Sequence, residues 1–342
     1  MEGERLRFFS DPKLASGVFS GRIDAGVLDA LQPRLSYDAA HPVAAHELHL
    51  WGSCAFKGLA SMVLGLEAGE AAGEEMDSAT RGSFWHEILA ELVPELDRRG
   101  VLGRQSPETR ELVEKAVVTA ARKTEQRSAT GHPALWGIAR EWAVTVIHRM
   151  VTDPSVAPFG LARPKYFEVA FGNEKKAPPP LREVKIPAAR KGERDLFLTG
   201  RIDRVDVGAG VIGVVDYKTS VRRNMTRDFL VKEFQMAFYL LAARELLPGS
   251  QVNGAWHAVT RNQLTPLTAA VRGLSVNETL ATDELTRARL EKEEKPNLAN
   301  AVFKLVEKLR GGDFGARPID CDFCELKRVC RISDRRLPED QR

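Results

Sequence analysis

The sequence predicts an α/β fold in which helices flank a small central sheet, and three observations carry this. Helical periodicity dominates the chain up to about residue 160, strand-like runs begin only at Lys165, and two of those runs, LFLTGRIDRVDV and VIGVVDYKT, are separated only by Gly208-Ala209-Gly210, the signature of a β-hairpin. The 342 residues suffice to bury a sizeable core as one large domain or two modest ones, and 43% hydrophobic with 28% charged residues is ordinary for a soluble globular chain.

Residues 1–45 show weak periodicity and read as an N-terminal extension without an assignable role. From His46 to Leu66 the pattern is helical, with Leu48, Trp51, Phe56, Leu59, Met62 and Val63 as the buried stripe. A Gly/Ala/Glu-rich connector, Glu67 to Met76, leads to a second helix from about Ser83. Residues 107–151 read as two more helices parted near Gly131-His132-Pro133, so that about 95–160 forms a helical insertion. KYFEVAF is a strand, and Gly172 to Arg194 a Lys/Pro-rich loop. After the hairpin come a long helix from Asp228 to Leu247, the strand VNGAWHAVT, a stretch of unassigned role over 261–295 that turns helical from Glu278 to Arg310, a cysteine-bearing segment to residue 331 and a tail, 332–342. No internal repeat is visible.

No apolar run approaches a membrane span; Met236 to Ala243 is far too short. The opening MEGERLRFFS is charged where a secretory signal is apolar, which makes a cytoplasmic protein the expectation. Fifty basic against 47 acidic residues leave a net charge of +3, so any polyanion site must be a local patch. The best cluster is Lys218, Arg222, Arg223, Arg227 and Lys232, which also fits a solvated loop and helix start.

The hairpin carries the most chemistry. If Val207 sits opposite Ile212, Asp203 faces Asp216 across the ladder, and Lys218 projects to the same side as Asp216. Opposed carboxylates destabilise a sheet unless positive charge lies between them, and Asp216 ends an apolar run where a lone charge is costly to desolvate. A divalent cation answers both problems: it accepts two carboxylates, polarises a phosphodiester and acidifies a bound water. The neighbouring lysine is placed to orient or deprotonate that water and to stabilise phosphorane charge. An ordinary hairpin with surface Asp and Lys is the competing reading.

Two further features stand apart. His86, in RGSFWHEILAELV, shares a helical face with Leu89, Ala90 and Val93, as a core histidine or a ligand for Mg²⁺ or Mn²⁺. The four cysteines are Cys54, Cys321, Cys324 and Cys330, the last three in C-x2-C-x5-C. In a cytoplasmic chain this spacing suits ligation, and it leaves zinc and an iron–sulfur cluster both open. A four-thiolate site would join segments more than 260 residues apart and constrain the unfolded chain by a few kcal/mol, roughly the scale of a long cross-link.

Taken in order, these motifs resemble the RecB-type branch of the PD-(D/E)XK nuclease superfamily, above all the iron–sulfur nuclease domains of AddB-like subunits and the CRISPR-associated iron–sulfur exonucleases. The matching pieces are Cys54 before Leu64-Gly65-Leu66, Arg81, Gly82 and His86 in RGxxxH, then GRIDRVD and VVDYKT, then Gln235 and Tyr239 in QxxxY. Gly312, Phe314, Pro318 and the three late cysteines complete the set, which covers residues from about 50 to 331. Ala55 follows the first cysteine where the family usually has proline.

The resemblance implies a restriction-endonuclease-like fold over 46–331. It implies metal ligation by His86, Asp203, Asp216 and the Tyr217 carbonyl, a catalytic trio Asp203, Asp216 and Lys218, and a [4Fe–4S] cluster on the four cysteines. Gln235 and Tyr239, with Arg222, Arg223 and Arg227, would lie near the DNA, and Glu168 could be an accessory ligand. The expected activity is metal-dependent DNA cleavage, of single strands in repair or recombination. No G-x-x-x-x-G-K-[ST] occurs, so the expected motor is a separate helicase. A non-catalytic DNA-binding or scaffold subunit and a zinc-stabilised interaction protein are the alternatives.

Overall fold

The computed structural model describes residues 3, 4, 7, 20–66, 75–172, 175, 177–220, 225–271, 273–316, 318, 319, 321 and 324–330. Its centre is strand β4, Leu196–Gly208, long enough to serve two sets of neighbours. Toward its start β4 pairs antiparallel with β3, Val184–Ile186, and parallel with the short β1, Val43–Ala44. Further on it pairs antiparallel with β2, Arg163–Phe171, and with β5, Val211–Lys218. Beyond β5 lie β6, Gln251–Ala258, parallel to it, and β7, Gln263–Pro266, antiparallel to β6. The sheet is mixed and seven-stranded among the described residues.

A parallel β5–β6 pair needs a crossover, and helix α8, Gln235–Leu246, supplies it. Every residue from Met236 to Ala243 is buried, because this helix lies between the sheet and the N- and C-terminal helices. On that side, α2 (Ala45–Ser53) contributes Leu48 and Trp51, the short α9 (Val276–Thr279) contributes Val276, and α11 (Leu298–Arg310) contributes Val302 and Val306. The opposite face is covered by α4 (Ser78–Arg98), α5 (Pro107–Arg127) and α6 (Pro133–Thr152), which pack on Val215 and Tyr217 of β5. The result is a helix–sheet–helix sandwich.

Local chemistry explains the helix starts. The Asp77 carboxylate accepts from the N–H groups of Ala79 and Thr80 at the start of α4, five residues earlier than the apolar stripe suggests. Ser106 and His132 cap α5 and α6, each followed by proline at the first helical position.

Two expected helices are interrupted. The helix read over His46 to Leu66 breaks at Cys54, whose backbone is extended (φ −168°, ψ 120°), before α3 (Ala55–Gly58) and a π-helical turn, Leu59–Val63. The helix read from Asp228 begins only at Gln235: after the short α7, Met225–Asp228, a tight loop turns at Leu230 (φ 56°) and is closed by a Phe229–Glu233 bridge. The hairpin connection is one residue shorter than expected, since Gly208 still belongs to β4, and the register is unaffected.

Residues for which the sequence offered no role are integral here. Leu31 of α1 (Ala25–Leu31), Leu35, Tyr37 and Val43 join the core, and Arg310 donates to the carbonyls of Leu35 and Ser36. Phe314 N–H donates to the Gly21 carbonyl, stitching the two ends of the described chain together. No helix among the described residues is long and apolar enough to cross a membrane.

Candidate functional site

The hairpin ladder pairs Val207 with Ile212, Val205 with Val214 and Arg204 with Val215, so Asp203 comes next across from Asp216, as the sequence register requires. Both carboxylates are buried. Asp203 Oδ2 accepts the Tyr217 N–H at 2.8 Å. Burial alone would raise the Asp203 pKa, but His86, Lys218 and that N–H together hold it below the usual carboxylate range. For Asp216 burial wins: its pKa is pushed up to about 7, against the pull of Lys218 and with the push of Asp203 and Glu233. Lys218 Nζ lies 2.9 Å from Asp216 Oδ2, and no other hydrogen-bond donor reaches either Asp216 oxygen among the described residues.

His86 projects from α4 into this site. Its Nδ1 stands 3.4 Å from Glu168 Oε1 and 3.5 Å from Asp203 Oδ1, while Nε2 meets the Tyr217 carbonyl at 3.1 Å. With acceptors at both nitrogens the ring holds two protons. Burial would lower its pKa, yet Asp203 and Glu168 outweigh that and raise it to about 10. The imidazolium thus supplies the positive charge that the carboxylates demand. His86, Glu168 and Asp203 offer ligand atoms all within 4.8 Å of one another, the only such group of three or more His, Cys, Asp or Glu among the described residues.

Glu168 is the residue that sequence reasoning underweighted. The β2–β4 ladder pairs Phe167 with Arg204 and Val169 with Ile202, and between them Glu168 adopts φ 47°. A left-handed backbone at a non-glycine residue in mid-strand costs roughly 1–2 kcal/mol, and such strain concentrates at functional sites. Nothing in KYFEVAF signals it, since φ is a product of the folded ladder. Arg201 Nη1 lies 3.9 Å from Glu168 Oε2.

Lys218, at the end of β5, donates to Gln235 Oε1 at 2.5 Å, and Gln235 Nε2 donates to the Tyr239 hydroxyl at 2.6 Å. The QxxxY spacing therefore acts as a chain that aims the ammonium. Burial would lower the Lys218 pKa, but Asp216, Asp203 and Glu233 raise it, so the group stays charged. Glu233 is a second residue that the sequence reading passed over, having counted only as an opposing charge. Its Oε1 accepts the Gln235 N–H at 3.1 Å, while Oε2 is buried without a partner among the described residues.

The remaining residues of GRIDRVD work on the other face. Arg204 and Asp206, fully buried, form a two-point pair (Nε–Oδ1 2.6 Å, Nη2–Oδ2 2.7 Å), and Arg204 Nη1 donates to the Tyr217 hydroxyl at 3.2 Å. Tyr217 is thereby clamped through its hydroxyl while its backbone serves Asp203 and His86.

The described members of the basic cluster do not form one exposed patch. Lys232 is buried with its Nζ 3.3 Å from Asp228, Arg227 is exposed beside Asp228, and Arg222 and Arg223 lie outside the described residues. Three basic side chains, Lys123, Arg127 and Arg201, instead border a groove of about 540 Å³ in front of His86 and Glu168, interleaved with Glu87, Glu91 and Glu168. Lys123 there also pairs with Glu87 and Glu91.

Cys54 is buried at the helix break, and Cys321, Cys324 and Cys330 are half-buried. Ile319 N–H donates to the Ser53 carbonyl at 2.9 Å, which brings the C-terminal segment beside the residue preceding Cys54. Cys324 N–H turns back to the Cys321 carbonyl, and Cys330 ends the short α12, Lys327–Cys330.

Two comparisons with known proteins bear on the family of the fold. The chain is 29% identical over 242 residues to an ATP-dependent helicase/deoxyribonuclease subunit of Moorella thermoacetica, an alignment covering 68% of this chain and 20% of that protein. The chain thus spans about a fifth of the length of that relative. The profile of the PD-(D/E)XK nuclease superfamily matches residues 42–331, from β1 through the last cysteine, and takes in the hairpin carboxylates, Lys218 and His86. A mixed sheet flanked by helices, the acids and lysine of its central hairpin and this match lead to one assignment: the chain belongs to the PD-(D/E)XK nuclease superfamily.

Proposed function

We propose that this chain is a divalent-metal-dependent DNA nuclease, acting as a single-strand exonuclease in repair or recombination beside a separate helicase. The observation that supports this most is the convergence of His86, Glu168 and Asp203 ligand atoms within 4.8 Å, next to a buried Asp216 whose carboxylate is met by Lys218 and by no other donor among the described residues. That donor set of imidazole and carboxylates fits Mg²⁺ or Mn²⁺. Asp203, Glu168 and His86, the last giving up its Nδ1 proton, would hold the ion, with Asp216 and the Tyr217 carbonyl beside them. When bound, the cation would polarise the phosphodiester and lower the pKa of a coordinated water.

The chain's own residues supply the rest. Lys218 sits beside three carboxylates, where its ammonium would place positive charge against the phosphorane oxygens. Gln235 and Tyr239 hold that ammonium in place. Lys123, Arg127 and Arg201 border the groove and would draw in the phosphate backbone.

The four thiols suit a [4Fe–4S] cluster held by Cys54, Cys321, Cys324 and Cys330, the Ile319–Ser53 hydrogen bond having already brought the two segments together. Protein purified without oxygen should be brown and contain iron; stoichiometric zinc in colourless protein would favour the interaction-protein reading. The helicase is proposed because the related protein's name couples the two activities and this chain lacks a P-loop. The compartment we assign is the cytoplasm.

The decisive test sets wild type beside Lys218→Ala on labelled single-stranded DNA with Mg²⁺ or Mn²⁺. Wild type should degrade the strand, and the variant should lose activity while keeping its melting temperature. Equal activity would move the chemistry elsewhere; no activity in either would favour a scaffold subunit.

A further inference from the structure

We infer that His49 and Gly52 of α2 are positioning residues for Lys218, acting through the loop that carries Glu233 and leads into Gln235, an inference that rests on the nuclease reading above. Gln235 opens α8, so its backbone N–H has no partner within the helix and is accepted instead by the Glu233 carboxylate at 3.1 Å. The amide that aims the ammonium, Gln235 Oε1 at 2.5 Å from Lys218 Nζ, is therefore placed by the loop before it.

That loop folds around one carbonyl. The Asp228 oxygen accepts the N–H groups of Val231, Lys232 and Glu233 at 2.9–3.0 Å, and the Leu230 N–H donates to the Glu233 carbonyl at 2.9 Å. Its N–H groups are thus used internally, while the Val231 and Lys232 carbonyls face α2. His49 Nδ1 stands 2.8 Å from the Lys232 oxygen, and because a carbonyl only accepts, Nδ1 carries the proton and donates.

Gly52 lies three residues on, hence on the same face of the helix. A Cβ there would come within 2.8 Å of the Val231 oxygen and 3.3 Å of the Lys232 Cα. Glycine weakens a helix relative to alanine, and here the close approach of a second backbone demands it. One donor and one gap together form the seat on which the loop rests.

The seat bears on the lysine and not on the acids. Asp203 and Asp216 are held in the hairpin, whereas Gln235 reaches Lys218 only from the loop side. The same end of α2 is held in turn by the C-terminal segment, whose Ile319 N–H donates to the Ser53 carbonyl at 2.9 Å.

The test pairs amide exchange with steady-state cleavage of labelled single-stranded DNA in Mn²⁺. In His49→Ala the amides of residues 230–233 should exchange roughly ten-fold faster than in wild type while those of α4 and β5 are unchanged. The kcat should fall roughly ten-fold with KM within about two-fold. His49→Asn, whose side-chain amide can stand where Nδ1 stood, should restore both, and Gly52→Ala, which displaces the loop by its Cβ alone, should reproduce the loss. In a Gln235→Ala background His49→Ala should slow cleavage no further, because the route to Lys218 is already cut. His46→Ala, exposed on the same helix, should behave as wild type. Unchanged exchange at 230–233 in His49→Ala overturns the inference, as does faster exchange throughout the chain, an equal loss in His46→Ala, or a full further loss on top of Gln235→Ala. Wild type that cuts nothing would sink the nuclease reading, and the exchange would still decide whether His49 seats the loop.

Discussion

Glu168 combines a left-handed backbone with a carboxylate at His86, so its side chain and its main chain make opposite demands. Both Glu168→Gly and Glu168→Ala remove the carboxylate, but only glycine relaxes the backbone. Glu168→Gly should therefore be the more stable of the two by about 1 kcal/mol in urea denaturation, with both losing cation affinity. The reverse order of stability would argue against a strained backbone here. Gln235→Ala should lower cleavage by roughly 10- to 100-fold without a stability loss of similar scale, since the amide acts only by aiming Lys218. A kcat within two-fold of wild type would dismiss the aiming role. At this scale the sequence was legible where chemistry follows from register. Asp203, Asp216 and Lys218 could be brought together by counting along two strands. Glu168 and Glu233 could not, because one depends on an unusual φ and the other on a loop that replaces the start of an expected helix.

Among the elements, α10 (Glu284–Lys292) is pinned to the loop before β4 by two ion pairs, the more exposed Arg190–Glu291 and the buried Arg287–Glu193. Arg287 donates to both Glu193 oxygens, at 2.7 and 2.5 Å, packs over Phe303 and contacts Asn300. Arg287→Ala leaves a carboxylate in a largely buried setting and should cost about 3 kcal/mol, measured by chemical denaturation. Burial would raise the Glu193 pKa, but Arg287 and the N–H groups of Ala189 and Arg190 win and lower it. A carboxyl with a lower pKa in the folded than in the unfolded state stabilises above the unfolded value, and that stability drains away as pH falls toward the folded value. The gap in stability between wild type and Glu193→Gln should accordingly be full at neutral pH and narrow below about pH 4. A gap constant down to strongly acidic pH would count against the pair. Element types were mostly readable from periodicity, whereas boundaries moved wherever the loop carried structure of its own. Leu230 at φ 56° and Cys54 with an extended backbone both interrupt runs whose apolar pattern continues across them.

For the whole molecule the cysteines matter most. Cys54 and Cys330 belong to segments that the Ile319–Ser53 contact joins from opposite ends of the family match. Replacing either by alanine should lower the melting temperature more than Asp216→Ala does, by roughly 2–5 kcal/mol of stability if the thiols hold a cluster. Asp216→Ala removes an acid that burial already disfavours in its charged form and should be neutral or mildly stabilising without metal. The opposite ranking would discard the staple. The layered α/β plan was legible from the order of helical and strand-like runs. The part played by residues 20–45 was not, because a two-residue strand and a short helix leave no periodic trace.

The Arg204–Asp206 pair beneath Tyr217 has one more effect, on how the hairpin finds its alignment. Sliding β4 past β5 by a single position would carry Arg204 and Asp206 together to the other side of the sheet and away from the Tyr217 hydroxyl, so the buried pair would lose its hydrogen bond to β5. Misaligned pairings are thus disfavoured. Those two side chains never meet a phosphate, yet they act as proofreaders for the strand alignment on which cleavage would depend.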